Sequence, residues 1–215
     1  MISLFKKRNN NLPSFWKTYE ATFIEKIPER VENVRFVVLD TETTGFKYNS
    51  DRILCIGALS LQNKAISVKE IFEVYLQQEY YDKETAKIHG ILKKGKRNRI
   101  SESEALKKFL AYLGNSVIVA HHAAFDIRMI NTALKRHGLP KLKNKVLDTS
   151  ILYKKSLLVT SLIEKKEHYT LDELADKFNI SKKDRHTAVG DAYITAIAFL
   201  KTLNRLKPEK TKHLF

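Results

Sequence analysis

The chain has a single cysteine, Cys55, set in the apolar run Ile53 to Leu59, so no disulfide can form within it. A small buried hydrophobe is the expected role, and cysteine chemistry falls away. No apolar stretch approaches the roughly eighteen residues that a membrane span needs. Met1-Ile2-Ser3-Leu4-Phe5 meets Lys6-Lys7-Arg8 at once, whereas a secretory signal places its positive charge ahead of a longer apolar core. The expectation is a cytoplasmic protein with no membrane segment. Internal repeats, low-complexity tracts, Cys-rich clusters and multi-His clusters are also missing, which leaves repeat architectures and zinc sites without support. Acids are scarce too: 24 Asp and Glu against 39 Lys and Arg give a formal net charge of +15 and a pI near 9.7. Counterion release makes such a surface favour a polyanion, with nucleic acid ahead of a membrane surface. The excess is spread through Lys93 to Arg99, Lys154-Lys155, Lys165-Lys166 and Lys182 to Arg185, and each run alone reads as a solvated face.

What is present fits one domain: 215 residues with 43% apolar content can bury a core without staples. Residues 1–33 read as a basic and aromatic appendage, residues 34–206 as the main domain and residues 207–215 as a polar tail with an apolar tip. In the appendage Phe15, Trp16, Tyr19 and Phe23 recur at helical spacing within a short helix from Trp16 to Glu25, which points to packing rather than to base binding. Val34 to Leu39 is an apolar run that predicts a buried strand. Two more strands follow, at about Arg52 to Leu61 and Ala65 to Leu76, as an antiparallel meander at one sheet edge. A short helix over Glu84 to His89 precedes the basic loop. Ser101 and Glu104 have capping-box spacing for a helix to Leu113, and Thr170 and Glu173 repeat that spacing for a helix to Phe178. Val117 to Ala120 and Val146 to Thr149 are short strands, each followed by a helix, the first running to His137 and the second through Leu158. A last helix runs from Thr187 to Leu206. Strands followed by alternating strands and helices imply an α/β layered domain with a mixed sheet.

The chemistry-bearing stretch is Asp40-Thr41-Glu42-Thr43-Thr44-Gly45, at the end of the first strand. Side chains alternate along a strand, so Asp40 and Glu42 share one face while Thr41 takes the other. Taken alone, the pair is equally a solvated strand mouth. Asp126 opens a helix after a buried strand, where open α/β sheets place their sites, though helix capping would also explain it. Asp191 lies one turn into the last helix, with His186 five residues before it, so a loop histidine and a helix carboxylate can face one cavity.

Together, Asp40 to Gly45, His122-Ala123-Ala124-Phe125-Asp126 and His186-Thr187-Ala188-Val189-Gly190-Asp191 resemble the three motifs of the DnaQ-like (DEDDh) family of 3′-to-5′ exonucleases. That family includes the epsilon proofreading subunit of bacterial DNA polymerase III. The resemblance spans about Val34 to Leu206 and takes in His89-Gly90-Ile91. It implies an RNase H-like three-layer α/β/α fold with a mixed five-stranded sheet. It also implies two divalent ions, Mg2+ or Mn2+, held by Asp40, Glu42, Asp126 and Asp191, with His186 as general base. Hard carboxylate oxygens suit those ions, whose charge would offset the repulsion among four acids. By motif position Thr41, Thr43, Thr44, Phe46 and His89 would border the terminal nucleotide. His121 and His122 read as structural or substrate-facing. The implied substrate is a single-stranded DNA 3′ end in proofreading or repair. An exoribonuclease of RNase T or oligoribonuclease type is the rival, and a polymerase-accessory nucleic-acid-binding subunit is the reading from another class. The tip His213-Leu214-Phe215 resembles the end of sliding-clamp-binding peptides, although their upstream Gln is missing.

Overall fold

The computed structural model describes residues 12–93, 95, 97–157 and 166–215. The basic start Lys6-Lys7-Arg8, two lysines of the basic loop, Lys165 and the end of the helix expected to reach Leu158 lie outside the described residues. In chain order the elements are α1 (Ser14–Ala21), β1 (Phe36–Thr43), β2 (Ile53–Gln62), β3 (Ala65–Leu76), α2 (Lys83–His89), β4 (Arg99–Ile100), α3 (Glu102–Leu113), β5 (Val117–Ala120), α4 (Ala124–Arg136), β6 (Val146–Asp148), α5 (Thr149–Ser156), α6 (Leu171–Phe178) and α7 (Ala188–Leu206). Short 3-10 turns occupy Thr22–Ile24, Val31–Asn33 and Thr211–Leu214.

The strands form one mixed sheet in the order β4-β3-β2-β1-β5-β6. The meander β1-β2-β3 is antiparallel, as its short turns require, while β5 runs parallel to β1 and β6 to β5. Six strands stand where five were expected. The extra one, β4, pairs only Arg99 and Ile100 with the end of β3, and two residues are too few to carry any periodicity.

Alternation along β1 builds the layers. Phe36 and Val38 face α7 and pack with Leu59, Leu61, Ala192, Ala196, Phe199 and Leu203. Val37 and Leu39 face the other way, into a core with Leu106, Phe109, Met129, Ile130 and Leu134 of α3 and α4. Helices therefore cover both faces of the sheet, and consecutive residues of β1 reach different layers. Trp16 and Tyr19 of α1 are each 1% exposed in the α3/α4 core, and the Tyr19 hydroxyl donates to Asn144 Oδ1 at 2.5 Å. The aromatic helix is thus packing, as its spacing predicts, although it ends at Ala21 and gives way to a 3-10 turn.

The tail after α7 packs back on the domain. Leu214 is 1% exposed in the α7 core, Thr211 donates from its backbone to Glu29 O and from its hydroxyl to Pro28 O, and Lys145 Nζ lies 4.3 Å from the Phe215 ring. Burial of that leucine, worth about 2 kcal/mol, adds to these bonds in holding the segment. Of the two capping boxes, Thr170 and Glu173 bond reciprocally, whereas at Ser101 only the half from Glu104 N–H forms.

Candidate active site

The C-terminal half of β1 brings Asp40 and Glu42 out on the α7 face. For Asp191 to meet them, α7 must start hard against the sheet. Gly57, the β2 partner of Asp40, makes that approach possible: a Cβ there would lie 2.3 Å from the carbonyl carbon of Ala188. Thr187 caps the helix by accepting from Gly190 N–H at 3.1 Å. Carboxylate oxygens of Asp40, Glu42 and Asp191 then lie within 4.8 Å of one another.

Asp126 reaches the cluster from the opposite layer. It lies in the first turn of α4, is 4% exposed, and accepts a 2.6 Å hydrogen bond from the Thr41 hydroxyl. One strand thus presents two acids on one face and orients a third acid with the residue between them.

The electrostatics follow from withdrawing these acids from water. Burial, reinforced by the charges of Asp126, Glu42 and Asp191, raises the Asp40 carboxyl well above its ordinary range. Burial followed by Asp191 and Asp126 lifts Glu42 to about 7. Burial lifts Asp126 to about 7 against the lowering effect of Thr41. Arg185 opposes the repulsion: its Nη1 donates to Asp191 Oδ2 at 2.5 Å, while Nε and Nη2 grip Asp172 at 2.7 and 3.1 Å. Such a cluster of hard oxygen donors, short of positive charge, fits divalent cations of the Mg2+ and Mn2+ type.

The other residues named from the sequence divide. His186 has φ +65°, its N–H donates to Asp191 Oδ1 at 3.3 Å, and its side chain is exposed. The Thr43 hydroxyl donates to Gly45 O at 2.8 Å, and that of Thr44 donates to Asp51 Oδ1 at 2.9 Å, so both brace the loop after β1. His89 is buried with Nδ1 accepting from Ile91 N–H at 3.0 Å, and burial lowers its proton affinity. Phe46 is 76% exposed, 5.7 Å from the Phe125 ring beside Asp126. His121 bonds Thr149 Oγ1 at 2.8 Å, and burial lowers its pKa to about 4; His122 stacks on it and faces Tyr169 O. A cavity of about 900 Å³ opens at the other end of β1, between Phe36, Leu61 and Leu203, away from these acids.

Residues 37–199 match the protein-family model described as Exonuclease, of RNase T type. The chain belongs to this DnaQ-like 3′-to-5′ exonuclease family. The PolC-type DNA polymerase III of Thermotoga petrophila is 34% identical over 176 residues, covering 82% of this chain and 12% of that protein. The chain therefore spans about an eighth of the length of such relatives. Among solved structures, E. coli Exonuclease I in complex with a dT13 oligonucleotide aligns with TM-score 0.68 and 17% identity, covering 81% of this chain and 42% of that one. Cell-death related nuclease 4 aligns with TM-score 0.69 and 13% identity, covering 80% and 64%. These likenesses carry the fold, which is RNase H-like. Among the described residues no helix is long and apolar enough to cross a membrane.

For this exonuclease domain, sequence reasoning missed Asp172 and the role of Arg185, which reads as the end of a basic run until its partners are seen. It also missed Tyr48 and Arg128: the Arg128 guanidinium lies 4.2 Å from the Tyr48 ring, which in turn packs on Phe125. An aromatic residue in a loop carries no periodic signal that could have revealed this.

Proposed function

We propose that the chain is a divalent-metal-dependent exonuclease that shortens single-stranded DNA from its 3′ end and releases 5′-mononucleotides. The observation that carries this reading is the meeting of Asp40, Glu42 and Asp191 within 4.8 Å, with Asp126 held beside them by Thr41. Asp40, Glu42, Asp126 and Asp191 would hold two ions, Mg2+ or Mn2+. Such ions, when bound, supply an activated water and stabilise charge on the attacking and leaving oxygens of an in-line displacement at phosphorus.

The chain's own groups do the rest. His186 is the candidate to accept the water's proton, since an imidazole is the side chain best suited to general-base work near neutral pH. Its exposed side chain must turn inward about the loop that joins α6 to α7. Phe46, resting on Phe125, offers a face on which a terminal base can stack, and Arg128 over Tyr48 adds positive charge next to it. Thr41 keeps Asp126 aimed, Thr43 and Thr44 spend their hydroxyls on the loop after β1, and His89 turns Nδ1 to the backbone while its Nε2 has no hydrogen-bond partner among the described residues.

DNA is favoured over RNA because the chain's relatives include PolC-type DNA polymerases and Exonuclease I crystallised with a dT13 oligonucleotide. The same relatives support work beside a DNA polymerase in proofreading or repair. Clamp binding through the tip finds no support in the fold, since Leu214 is already buried.

The test is digestion of matched 5′-labelled single-stranded DNA and RNA with Mg2+, Mn2+ or EDTA, beside an Asp40→Ala control. A metal-dependent ladder from the 3′ end, faster on DNA and absent in the variant, is expected. A faster RNA ladder would move the reading to an exoribonuclease. Equal inertness of both proteins while they still bind nucleic acid would leave an accessory binding subunit.

A further inference from the structure

Arg185 has no part in the chemistry just described, yet its guanidinium lies at the edge of the acid cluster with only 17% of the side chain exposed. Two of its nitrogens are tied to Asp172 on α6, at 2.7 and 3.1 Å, and the third reaches Asp191 Oδ2 at 2.5 Å. The remaining oxygen of Asp191 accepts from the His186 backbone at 3.3 Å. A guanidinium cannot shed its proton in a protein, and this two-point anchor keeps it from drifting into solvent. A full positive charge is therefore fixed one hydrogen bond from a carboxylate of the cluster. Asp172 is a separate group from that cluster, with half of its side chain open to water.

We propose that Arg185 is a built-in counter-cation of this site: pinned by Asp172, it neutralises Asp191 in the metal-free protein and competes with metal for that carboxylate. The inference rests on the metal-site reading above. It explains how four acids can be assembled without an ion, and it makes Arg185 a positioning residue that sets how readily the site loads. A purely structural arginine predicts the opposite sign. If Arg185 only held Asp191 in place, its removal would loosen a ligand and weaken metal binding. If it competes, its removal leaves the cluster more negative and metal binds more tightly, because charge repulsion at this range in a partly buried site outweighs the ordering of one side chain.

The experiment is a Mn2+ titration of the full chain followed by electron paramagnetic resonance, for wild type, Arg185→Met, Arg185→Lys and Arg185→Gln. Far-ultraviolet circular dichroism and melting in EDTA run alongside. Arg185→Met is expected to bind Mn2+ roughly tenfold or more tightly and to melt lower in EDTA, with the melting loss reversed by Mn2+. Arg185→Lys, which keeps the charge, should stay within about threefold of wild type. Should Arg185→Met fail to fold, Arg185→Gln decides: it removes the charge but keeps a polar side chain beside Asp172 and Asp191, so tighter Mn2+ binding is again expected. Unchanged or weaker binding in the deciding variant overturns the proposal. No Mn2+ uptake by wild type would instead sink the metal-site reading itself, and the counter-cation with it.

Discussion

Gly57 and Ala188 touch backbone to backbone, and this contact sets the distance between the sheet and the helix that carries Asp191. A Cβ on Gly57 would lie 2.3 Å from Ala188 C and 2.4 Å from Val189 N, and neither backbone atom can yield by changing a rotamer. Since Gly57 pairs with Asp40, the strain would fall where the acids meet. Gly57→Ala is expected to push the start of α7 away from β1 and to cost about 1–3 kcal/mol of stability. Hydrolysis should fall by about a hundredfold, the scale expected when a reacting group moves by an ångström. Urea denaturation and initial rates check this; wild-type values for both would show that α7 has room to shift.

Metal-free protein should lose stability as the pH rises from about 5 to about 8. The sign follows from Glu42, held at about 7 where an exposed glutamate titrates near 4.5, and from Asp126, also lifted to about 7. Between those values the folded chain binds more protons than the unfolded one, so stability falls with rising pH, by on the order of 2–3 kcal/mol for one such group. Carboxylates held low by partners, such as Asp172 beside Arg185 and Glu102 beside Arg136, act in the opposite sense, but at more acid pH. Denaturation in EDTA across this range gives the slope, and excess Mg2+ should flatten it by stabilising the ionised acids. A flat EDTA profile would mean the acids are better solvated than their burial indicates.

The scaffold was legible in the sequence wherever a local rule governed it. β1 begins as a continuous apolar run and α7 is a long periodic one, and Thr170 with Glu173 signals its helix start through bonds between neighbours. Asp40 and Glu42 share a face because a strand leaves no alternative. What the sequence concealed depends on long-range partners. Two residues of β4 have no period. Leu214 is buried in a segment that Thr211 ties to Pro28 and Glu29, about 180 residues earlier in the chain. Arg185 belongs to the acid cluster only because Asp172, thirteen residues earlier, holds it there.

Phe46→Ala should weaken substrate binding while leaving the acids in place. The ring is 76% exposed and contacts Phe125, so its removal opens no core cavity. Loss of one base-stacking surface is worth about 1–3 kcal/mol, read as a raised KM on single-stranded DNA. Mn2+ affinity should be unchanged. A lowered kcat with normal KM would instead assign the ring to placing the scissile bond.

Leu214→Ala should destabilise the fold by about 2–5 kcal/mol, since the side chain is fully enclosed among residues of the α7 core. The acids are far along the chain and on the other end of β1, so specific activity of the folded fraction should stay at the wild-type level. Thermal melting and an activity assay at low temperature separate the two effects. A variant as stable as wild type would mean that the tail detaches at little cost.

Thr41→Val keeps the shape of the strand and removes one donor, the hydroxyl on Asp126 Oδ1. That bond opposes the burial which lifts Asp126 to about 7, so without it the carboxyl should titrate higher still. A hydrogen bond to a charged group is worth about 1.5–3 kcal/mol, which corresponds to a shift of about one to two pH units in the metal-free protein. Ionised Asp126 then becomes scarcer at neutral pH, and the acid limb of the rate profile should move toward higher pH, by less than that amount where metal compensates. Thr41→Ser keeps the donor and should restore the wild-type profile. A uniform loss of rate at every pH would instead mean that Thr41 acts by holding the position of Asp126 and not its charge. The two outcomes separate because a displaced carboxylate is not repaired by raising the pH, whereas a protonated one is.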